Sequence, residues 1–338
     1  MQMISGAKTP VRWGVAGLGW VATDFIAPAM VQSPGSRLVA CLGSSPEKGH
    51  AFAQRFGIER VHRDLDALVH DTGVDAVYIA LPNAMHHAAV LAAARAKKHV
   101  LCEKPFAMNV AHAREMVAAS REAGIICRIA HQIRLDAAVV RAREIAGSGR
   151  LGRLAAISLE RASGNPPRKS WRLDATQSGV IFDVGVHLLD LIQWVSGQRF
   201  VEVSAFTHPD RGLGKPDDTV TILGRLGGDC HALARATREV ASAENNLIIE
   251  GSQATLITSA LRFAREHVVR VRDAGGTAEE RFRPSPVYEL QIRAFEAEMR
   301  GERSMLPDAE DSLRTVAVTQ AVLESIAEHR IVTVPASE

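Results

Sequence analysis

The chain has 338 residues, of which 46% are hydrophobic and 23% are charged, and its formal net charge is +2. This length is enough for about two domains, each with its own core, and the composition is that of an ordinary globular protein. So small a net charge creates no field that would attract nucleic acid or an anionic membrane, and no apolar run approaches the roughly 20 residues that span a bilayer. We therefore expect no nucleic acid and no membrane among the partners of this protein.

The N-terminus and the cysteines indicate the compartment. Residues 1–10 are polar and lack the apolar core of a signal peptide. The four cysteines, at positions 41, 102, 127 and 230, are scattered, and no two of them have Cys-x-x-Cys spacing. We therefore expect the four cysteines to be small apolar residues of the core, in a protein of the reducing cytoplasm. The alternative is that they form a disulfide or metal framework.

The first predicted strand, residues 11–16, runs into the pattern Gly17-x-Gly19-x-x-Ala22. An apolar helix is predicted over residues 22–31, and a second strand over residues 37–42. In this context the glycines allow a sharp strand-to-helix turn and a close approach of the backbone to a pyrophosphate, which the helix N-terminus attracts. The pattern predicts a dinucleotide-binding turn, and an ordinary strand–turn–helix is the alternative.

The end of the second strand bears on the choice of cofactor. An NAD-selective fold normally places an Asp or Glu about 20 residues beyond the glycines, where it binds the ribose 2′-hydroxyl. This chain has Gly43 there, followed by Ser44, Ser45 and Lys48, whose hydroxyls and charge suit a 2′-phosphate at a helix start. We predict that NADP(H) is favoured over NAD(H), with use of both left open. The alternative is that the serines only cap a helix.

Strands and helices continue to alternate up to about residue 129. Helices are predicted over residues 46–56, 86–96 and 110–123, and strands over residues 76–81, 99–102 and 125–129. The strands are continuous apolar runs, as expected when helices cover both faces of a sheet. The fold class predicted for this part is therefore α/β, a doubly wound parallel (Rossmann) sheet that binds its ligands at the carboxyl ends of the strands.

The strand predicted over residues 99–102 ends in Glu103-Lys104-Pro105. A lysine at this position reaches toward the ligand edge of such a sheet, and Pro105 fixes the turn, with a cis peptide bond as one option. We interpret Lys104 as a functional residue. A solvated Glu-Lys pair before a helix is the alternative.

From about residue 154 the pattern changes, because strand-like runs now follow one another. The predicted strands cover residues 154–161, 200–206, 219–226, 231–237, 247–250, 254–258 and 263–271, and the predicted helices cover residues 185–195, 287–300 and 308–329. This order predicts an α+β domain with a large, mostly antiparallel sheet. We expect a dinucleotide-binding domain over residues 1–130 and a substrate-binding and oligomerisation domain over residues 131–338, whose terminal helices can pack back on the first domain. A sheet face free of helices offers a contact to a partner subunit, so we expect a homodimer or homotetramer through the C-terminal sheet.

A second polar motif, Asp183-Val-Gly185-Val-His187-Leu-Leu-Asp190, overlaps the helix predicted over residues 185–195. On a helix, positions 183, 187 and 190 share one face, so that three polar groups form a stripe. We interpret this stripe as functional. The alternatives are a helix cap at Asp183 with His187 as a core histidine, and a metal site, for which suitably spaced companion ligands are missing.

Taken together, these motifs resemble those of the glucose–fructose oxidoreductase, inositol dehydrogenase and MocA-like (GFO/IDH/MocA) family. The resemblance extends from residue 11 to about residue 335 and includes the glycine turn, Leu81-Pro82-Asn83-Ala84-Met85-His86, Glu103-Lys104-Pro105 and the motif of residues 183–190. The Gly-Ser-Ser after the second strand and the pair Trp171-Arg172 are most similar to NADP-dependent sugar reductases of this family. One departure is Gln177-Ser178-Gly179, where many relatives have three glycines, and it leaves the identity of the sugar open.

The resemblance implies a role for each matching residue. It implies that the pyrophosphate is held by Gly17, Gly19, Trp20 and Val21. It implies that the nicotinamide side of the cofactor is held by Leu81, Pro82, Asn83, His86, Glu103 and Lys104. It implies that the sugar and cofactor pocket is shaped by Arg134, Trp171 and Arg172. The implied catalytic residues are Lys104, which hydrogen-bonds the reacting oxygen, His187, which exchanges the proton, and Asp183, which orients the substrate.

The implied reaction agrees with the chemistry of these side chains. Hydride transfer between nicotinamide and a carbinol carbon needs a second group that moves the hydroxyl proton, and histidine titrates near neutrality. The Lys104 ammonium would stabilise developing alkoxide charge and lower the pKa of His187. We expect an NAD(P)-dependent sugar or polyol oxidoreductase that needs no metal. The alternatives are a glycosidase that oxidises its sugar transiently with tightly held NAD, and a dinucleotide-binding regulatory protein without catalysis.

Overall fold

The computed structural model describes residues 9–162, 179–208, 218–240, 245–259 and 265–335. The chain forms two compact units. As far as they are described, the first comprises Met1–Glu103, Glu115–Ala130 and Tyr288–Ala309, and the second comprises Lys104–Arg114, His131–Val287 and Glu310–Glu338. Each unit is therefore assembled from separate stretches of sequence.

The secondary structure follows the chain as a series of alternating elements and then a series of strands. The strands are β1 (Val11–Ala16), β2 (Ser36–Leu42), β3 (Arg60–Val61), β4 (Ala76–Ile79), β5 (His99–Cys102), β6 (Cys127–Ile129), β7 (Leu154–Ala162), β8 (Phe200–His208), β9 (Thr219–Leu226), β10 (His231–Thr237), β11 (Leu247–Gly251), β12 (Ala254–Thr258), β13 (His267–Asp273), β14 (Gly276–Phe282) and β15 (Val332–Thr333). The helices are α1 (Ala27–Gln32), α2 (Pro46–Phe56), α3 (Leu65–Val69), α4 (His86–Arg95), α5 (Val110–Ala123), α6 (Ala137–Gly147), α7 (Val186–Ser196), α8 (Val287–Met299) and α9 (Ala309–Glu328). Wider, π-type turns lead into two of the helices, at Ala22–Ile26 before α1 and at Ile181–Gly185 before α7.

The sheet of the first unit is parallel, with strand order β3-β2-β1-β4-β5-β6. Every residue of β4 is buried, and so are Trp13 on β1 and Val100 on β5. Strands that are buried in this way require helices on both faces of the sheet. The predicted doubly wound sheet is confirmed, and its order brings the carboxyl ends of β1, β2, β4 and β5 to one edge.

Some elements of the first unit differ from the sequence prediction. The sequence pattern does not reveal β3 and α3, because a two-residue strand and a five-residue helix are too short to show a hydrophobic period. The strand predicted over residues 76–81 ends at Ile79, since the chain turns there toward a 3₁₀ turn at Asn83–Met85. The strand predicted over residues 125–129 begins only at Cys127.

Helix α8 completes the core of the first unit although it lies far along the chain. Its Phe295 packs on Trp13, with ring centroids 4.9 Å apart. The hydroxyls of Ser33 and Ser36 both donate to the carboxylate of Glu296, which is buried. A buried carboxylate loses its hydration and needs hydrogen-bond donors in exchange. The two serine hydroxyls supply these donors to Glu296 and hold the helix beside β2.

The described residues of the second unit form a nine-stranded sheet with order β14-β13-β12-β11-β7-β10-β9-β8-β15. The pair β7–β10 is parallel, and the other neighbouring pairs are antiparallel. The core of this unit joins the sheet to α6, α7 and α9. The predicted large, mostly antiparallel sheet is confirmed.

Several elements of the second unit are not evident from the sequence pattern. Helix α6 begins after Asp136, whose carboxylate accepts a hydrogen bond from the Ala138 N–H at 3.0 Å and so caps the helix. Strand β14 is mostly exposed and polar, so it has no apolar pattern to detect. The strand predicted over residues 263–271 begins at His267 and ends at Asp273, and residues 260–264 lie outside the described part of the chain.

Two expectations about the environment of the chain can be compared with the structure. Within the described ranges, no helix is both long and apolar enough to cross a membrane. All four cysteines are free thiols and buried, which confirms the predicted core positions. Burial raises the pKa of Cys41 and of Cys127 to about 11, so both thiols are protonated at neutral pH.

Candidate active site

The glycine turn of the first unit follows β1. Gly17 has a φ of +93°, and a Cβ at this position would lie 2.4 Å from the carbonyl oxygen of Ala80. The fold itself therefore requires glycine at position 17. A Cβ at Gly19, in contrast, would meet no atom within 4 Å, and the helical turns that lead into α1 begin next to it, at Trp20. This open space beside helical N–H groups fits a pyrophosphate, so the residues present suit the cofactor that the sequence predicts.

The carboxyl end of β2 carries the residues expected to select the cofactor. Ser45 caps α2, because its hydroxyl accepts a hydrogen bond from the Lys48 N–H at 3.4 Å. The Lys48 Nζ donates to the Ser44 hydroxyl at 3.2 Å. Two hydroxyls and one ammonium therefore lie together at this edge of the sheet. A Cβ at Gly43 would lie 2.9 Å from the Gly49 nitrogen, so the turn closes tightly against the start of α2.

The residues expected near the nicotinamide follow β4 and β5 of the same unit. His86 opens α4 and is fully buried, and its Nε2 lies 3.0 Å from the carbonyl oxygen of Leu81. Glu103 follows β5 and accepts a hydrogen bond from the Tyr78 hydroxyl. Burial, and then the charge of Glu103, raise the pKa of Tyr78 well above its ordinary value, so this hydroxyl stays a donor. The sequence did not point to Tyr78, because it is one apolar position among others in a buried strand.

In the second unit, Lys104 and Asp183 form an ion pair. The peptide bond between Lys104 and Pro105 is cis. The Lys104 Nζ donates to the main-chain oxygen of Asp183 at 2.8 Å and to its Oδ1 at 3.1 Å. Arg238, which follows β10 and is buried, donates to the other carboxylate oxygen of Asp183. Asp183 is therefore paired with two cations. Sequence analysis did not find Arg238, because no motif around it indicates a contact with Asp183.

His187 lies in the first turn of α7 and is only 5% exposed. Its pKa is lowered well below 6.5, first by burial and then by the charge of Lys104, so the imidazole is neutral at pH 7. The direction expected from Lys104 is confirmed, although burial is the larger cause. A second buried histidine, His131, packs against it with the two ring centroids 5.3 Å apart and the ring planes nearly perpendicular. This neighbour too was missed by sequence analysis.

Asp190, the third residue of the predicted stripe, forms a buried ion pair with Arg134. The Arg134 Nε donates to Oδ2 at 2.8 Å, and Nη2 donates to Oδ1 at 2.5 Å. Burial is the largest single influence and works to raise the pKa of Asp190, but the charges of Arg134 and His131 and the hydrogen bonding from Arg134 together lower it. Both oxygens of Asp190 thus accept from Arg134, and the guanidinium expected to shape the sugar pocket is committed to this carboxylate.

Two of the expected site residues fall in a stretch that the described ranges do not include. Trp171 and Arg172, together with Gln177 and Ser178, lie outside the described residues. Among the residues that are described, no three His, Cys, Asp or Glu side chains come together as a metal-binding group. The second unit therefore offers an ammonium, a carboxylate and a neutral imidazole, a set that can polarise an oxygen atom and exchange its proton.

Two family models match the chain. A model described as an oxidoreductase family with an NAD-binding Rossmann fold (GFO_IDH_MocA) matches residues 11–131, and a GFO/IDH/MocA C-terminal domain model matches residues 139–257. Together they cover most of both units.

Similar proteins extend over nearly the whole chain. A 1,5-anhydro-D-fructose reductase of Ensifer adhaerens is 32% identical over 322 residues, which are 94% of this chain and 96% of that protein. A myo-inositol 2-dehydrogenase of Thermotoga maritima is 24% identical over 335 residues, 95% of this chain and 98% of the relative. Among solved structures, an aldose–aldose oxidoreductase of Caulobacter crescentus complexed with glycerol has a TM-score of 0.86 at 25% identity and covers 96% of this chain and 99% of its own.

The glycine turn leads to a test with two substitutions of the same kind. The Cβ that Gly19→Val adds enters open space, so the substitution should leave the melting temperature nearly unchanged. It should weaken dinucleotide binding by about 10-fold or more, which corresponds to about 1.4 kcal/mol. Gly17→Val strains a left-handed backbone and overlaps Ala80, so it should lower the free energy of unfolding by about 2–4 kcal/mol. Titration calorimetry and thermal melting measure the two effects. Wild-type dinucleotide affinity in Gly19→Val would refute the assignment of this turn.

Proposed function

This chain belongs to the GFO/IDH/MocA family of NAD(P)-dependent oxidoreductases, and on that premise we propose that it transfers a hydride between nicotinamide and a carbinol or carbonyl carbon of a sugar, keto-sugar or polyol. One observation carries the proposal. The Lys104 ammonium is held by Asp183, and its charge reaches a buried, neutral His187. An ammonium with a neutral imidazole suits alcohol oxidation, since one stabilises the oxygen and the other accepts its proton.

The residues divide the chemical work as follows. Bound nicotinamide supplies the acceptor or donor of the hydride. Lys104 hydrogen-bonds the reacting oxygen and stabilises negative charge on it. His187 accepts the hydroxyl proton during oxidation and returns it during reduction. Asp183 holds Lys104 in place through its Oδ1 and main-chain oxygen, and it orients the substrate.

The proposed substrate class rests on the relatives as well as on the site. The two curated relatives described above are named for a keto-sugar reductase and an inositol dehydrogenase, and both align with almost the full length of this chain. Both names describe chemistry at a ring carbon that carries oxygen. We therefore propose a cyclic sugar or polyol as the substrate.

The proposed cofactor is NADP(H) in preference to NAD(H), with no metal. With Gly43, this position has no carboxylate that would repel a 2′-phosphate. The Lys48 ammonium donates to the Ser44 hydroxyl, and the Ser45 hydroxyl accepts from the Lys48 N–H at the start of the same helix. A dianionic phosphate is attracted by the ammonium and by the N-terminus of α2. Glu103, with the Tyr78 hydroxyl bound to it, is proposed to bind near the nicotinamide ribose.

The proposed assembly is a homodimer or homotetramer in the cytoplasm. Phe206, Leu223 and Leu233 lie on the adjacent strands β8, β9 and β10, and they are 64%, 51% and 39% exposed. Leu223 and Leu233 are direct partners in the sheet, and their neighbours in sequence, Ile222 and Ala234, are buried in the core. An apolar patch on the outer face of a sheet suits contact with the same surface of a second copy. The proposed location in the cytoplasm rests on a different observation, the four reduced cysteines, which suit a reducing compartment.

The first experiment measures turnover with sugars, keto-sugars and inositols by the change in nicotinamide absorbance. Lys104→Ala and His187→Ala should each lower kcat about 100-fold or more, the range for loss of electrostatic or acid–base help. His70→Ala, which removes an exposed histidine directly after α3, is the control, and its kcat should be unchanged. Near-wild-type kcat in either site variant, with the dinucleotide still bound, would overturn these roles.

Sugar conversion without net nicotinamide turnover would favour the glycosidase, and dinucleotide binding without any conversion would favour the regulatory protein.

The second experiment compares kcat/KM for NADP(H) and NAD(H). Lys48→Gln removes one charge near the proposed 2′-phosphate, so the preference for NADP(H) should fall by roughly 3- to 10-fold. Lys97→Gln, the same change at an exposed lysine before the amino end of β5, should leave the ratio as it is. A wild-type preference for NAD(H) would contradict the cofactor proposal. Gly43→Asp is a poorer test, because a Cβ there would crowd the start of α2.

A further inference from the structure

A small cavity adjoins the two catalytic segments of the second unit. Its volume is about 10 Å³. The wall includes Pro105, which follows Lys104, and Val186, which precedes His187. The remaining wall is formed mainly by His131 and by residues of α9. The cavity is therefore in contact with the immediate neighbours of both residues to which we assign the chemistry.

Three polar side chains in this wall have buried atoms without a hydrogen-bond partner in the described structure. They are the His131 Nδ1, the Ser312 Oγ and the Thr315 Oγ1. These residues are 2%, 1% and 4% exposed. Buried polar atoms in native proteins nearly always have a partner, either in the protein or in ordered water. A fourth polar residue of the wall, Thr319, is different, because its hydroxyl donates to the Thr315 carbonyl oxygen at 2.8 Å.

The size and polarity of the cavity match one water molecule. A volume of about 10–15 Å³ is what a single water needs, and such a water typically makes about three hydrogen bonds. Three unsatisfied polar atoms belong to this one wall, and a water can donate to some of them and accept from others. One water therefore has the size and the hydrogen-bonding capacity to serve all three atoms.

His131 connects this cavity to His187. The two rings are in perpendicular contact with centroids 5.3 Å apart. His131 Nδ1 lies 3.6 Å from the Asp190 Oδ2, which is too long for a hydrogen bond, so Asp190 does not fix the ring by itself. The Nδ1 of His187 is also buried without a hydrogen-bond partner. Because no hydrogen bond in the described structure holds the Nδ1 side of His187, the contact with His131 is one of the restraints on its ring, and a displaced His131 ring would move that contact.

We propose that one buried water binds His131, Ser312 and Thr315 in this cavity and thereby makes His131 a positioning residue for His187. The consequence for catalysis rests on the proposed function, in which His187 exchanges the proton. The neutral state of His131 suits this role, since burial lowers its pKa to about 4 and leaves one ring nitrogen as donor and the other as acceptor.

Variants on α9 test the consequence for catalysis without touching a catalytic residue. Thr315→Val with Ser312→Ala removes two of the three water partners, and we expect kcat to fall about 10-fold through misplacement of His187, while KM and dinucleotide affinity stay within about 2-fold. Thr319→Val makes the same isosteric change one turn along the helix, where the hydroxyl is already satisfied, and should leave kcat near wild type. Thr315→Ser in the Ser312→Ala background restores one hydroxyl and should recover most of the loss. Equal kcat in the double variant and in Thr319→Val would overturn the positioning role.

A crystal structure at high resolution tests the water itself and needs no activity. We expect electron density for one water within hydrogen-bond distance of all three atoms in the wild type, and neither this water nor the same His131 ring position in the double variant. A wild-type cavity without density would refute the water site. Failure of the wild type to turn over any sugar would count against the proposed function instead, and the water site would be decided by the density alone.

Discussion

The second unit depends on the position of Asp183 between two cations. Lys104 donates to its main-chain oxygen and to Oδ1, and Arg238 donates to its other carboxylate oxygen. Arg238 is buried and Lys104 is mostly so, with side chains 5% and 15% exposed. Charges withdrawn from water are stable only when they are paired, and removing the shared partner would leave two like charges together. The carboxylate therefore fixes the location of the Lys104 ammonium, and the proposed chemistry depends on that location.

Burial and, after it, the charge of the Lys104 ammonium determine the protonation state of His187. Burial already disfavours the imidazolium form, and the charge of Lys104 lowers the pKa further. His131 contacts the His187 ring, and its Nδ1 lies 3.6 Å from Asp190 of the buried Asp190–Arg134 pair. The site thus places charged groups near an uncharged imidazole, which is the arrangement that the proposed function uses, with His187 as proton acceptor and Lys104 beside the reacting oxygen.

The sequence predicts the local parts of this molecule well and the long-range contacts poorly. The glycine turn follows from a strand, two glycines and a helix that are adjacent in sequence, and helix α2 follows from its serine cap, Pro46 and amphipathic pattern. The elements that were missed, such as β3 and β14, are too short or too polar to show a hydrophobic period. Tyr78 and Arg238 were missed for another reason, since their partners lie 25 and 55 residues away and only the fold brings them together. The resemblance to a family named Lys104, Asp183 and His187, but it did not reveal that Asp183 is shared or that His187 rests on His131.

An NMR titration of the His187 imidazole tests the central claim most directly. In histidine-labelled protein, with His187→Gln to identify the resonance, His187 should remain neutral as the pH falls through 6.5, because burial and the nearby ammonium both oppose protonation. In Lys104→Met the ammonium is gone, so protonation should begin at a higher pH than in the wild type. A wild-type His187 that takes up its proton at or above pH 6.5, or an unchanged titration in Lys104→Met, would contradict the account.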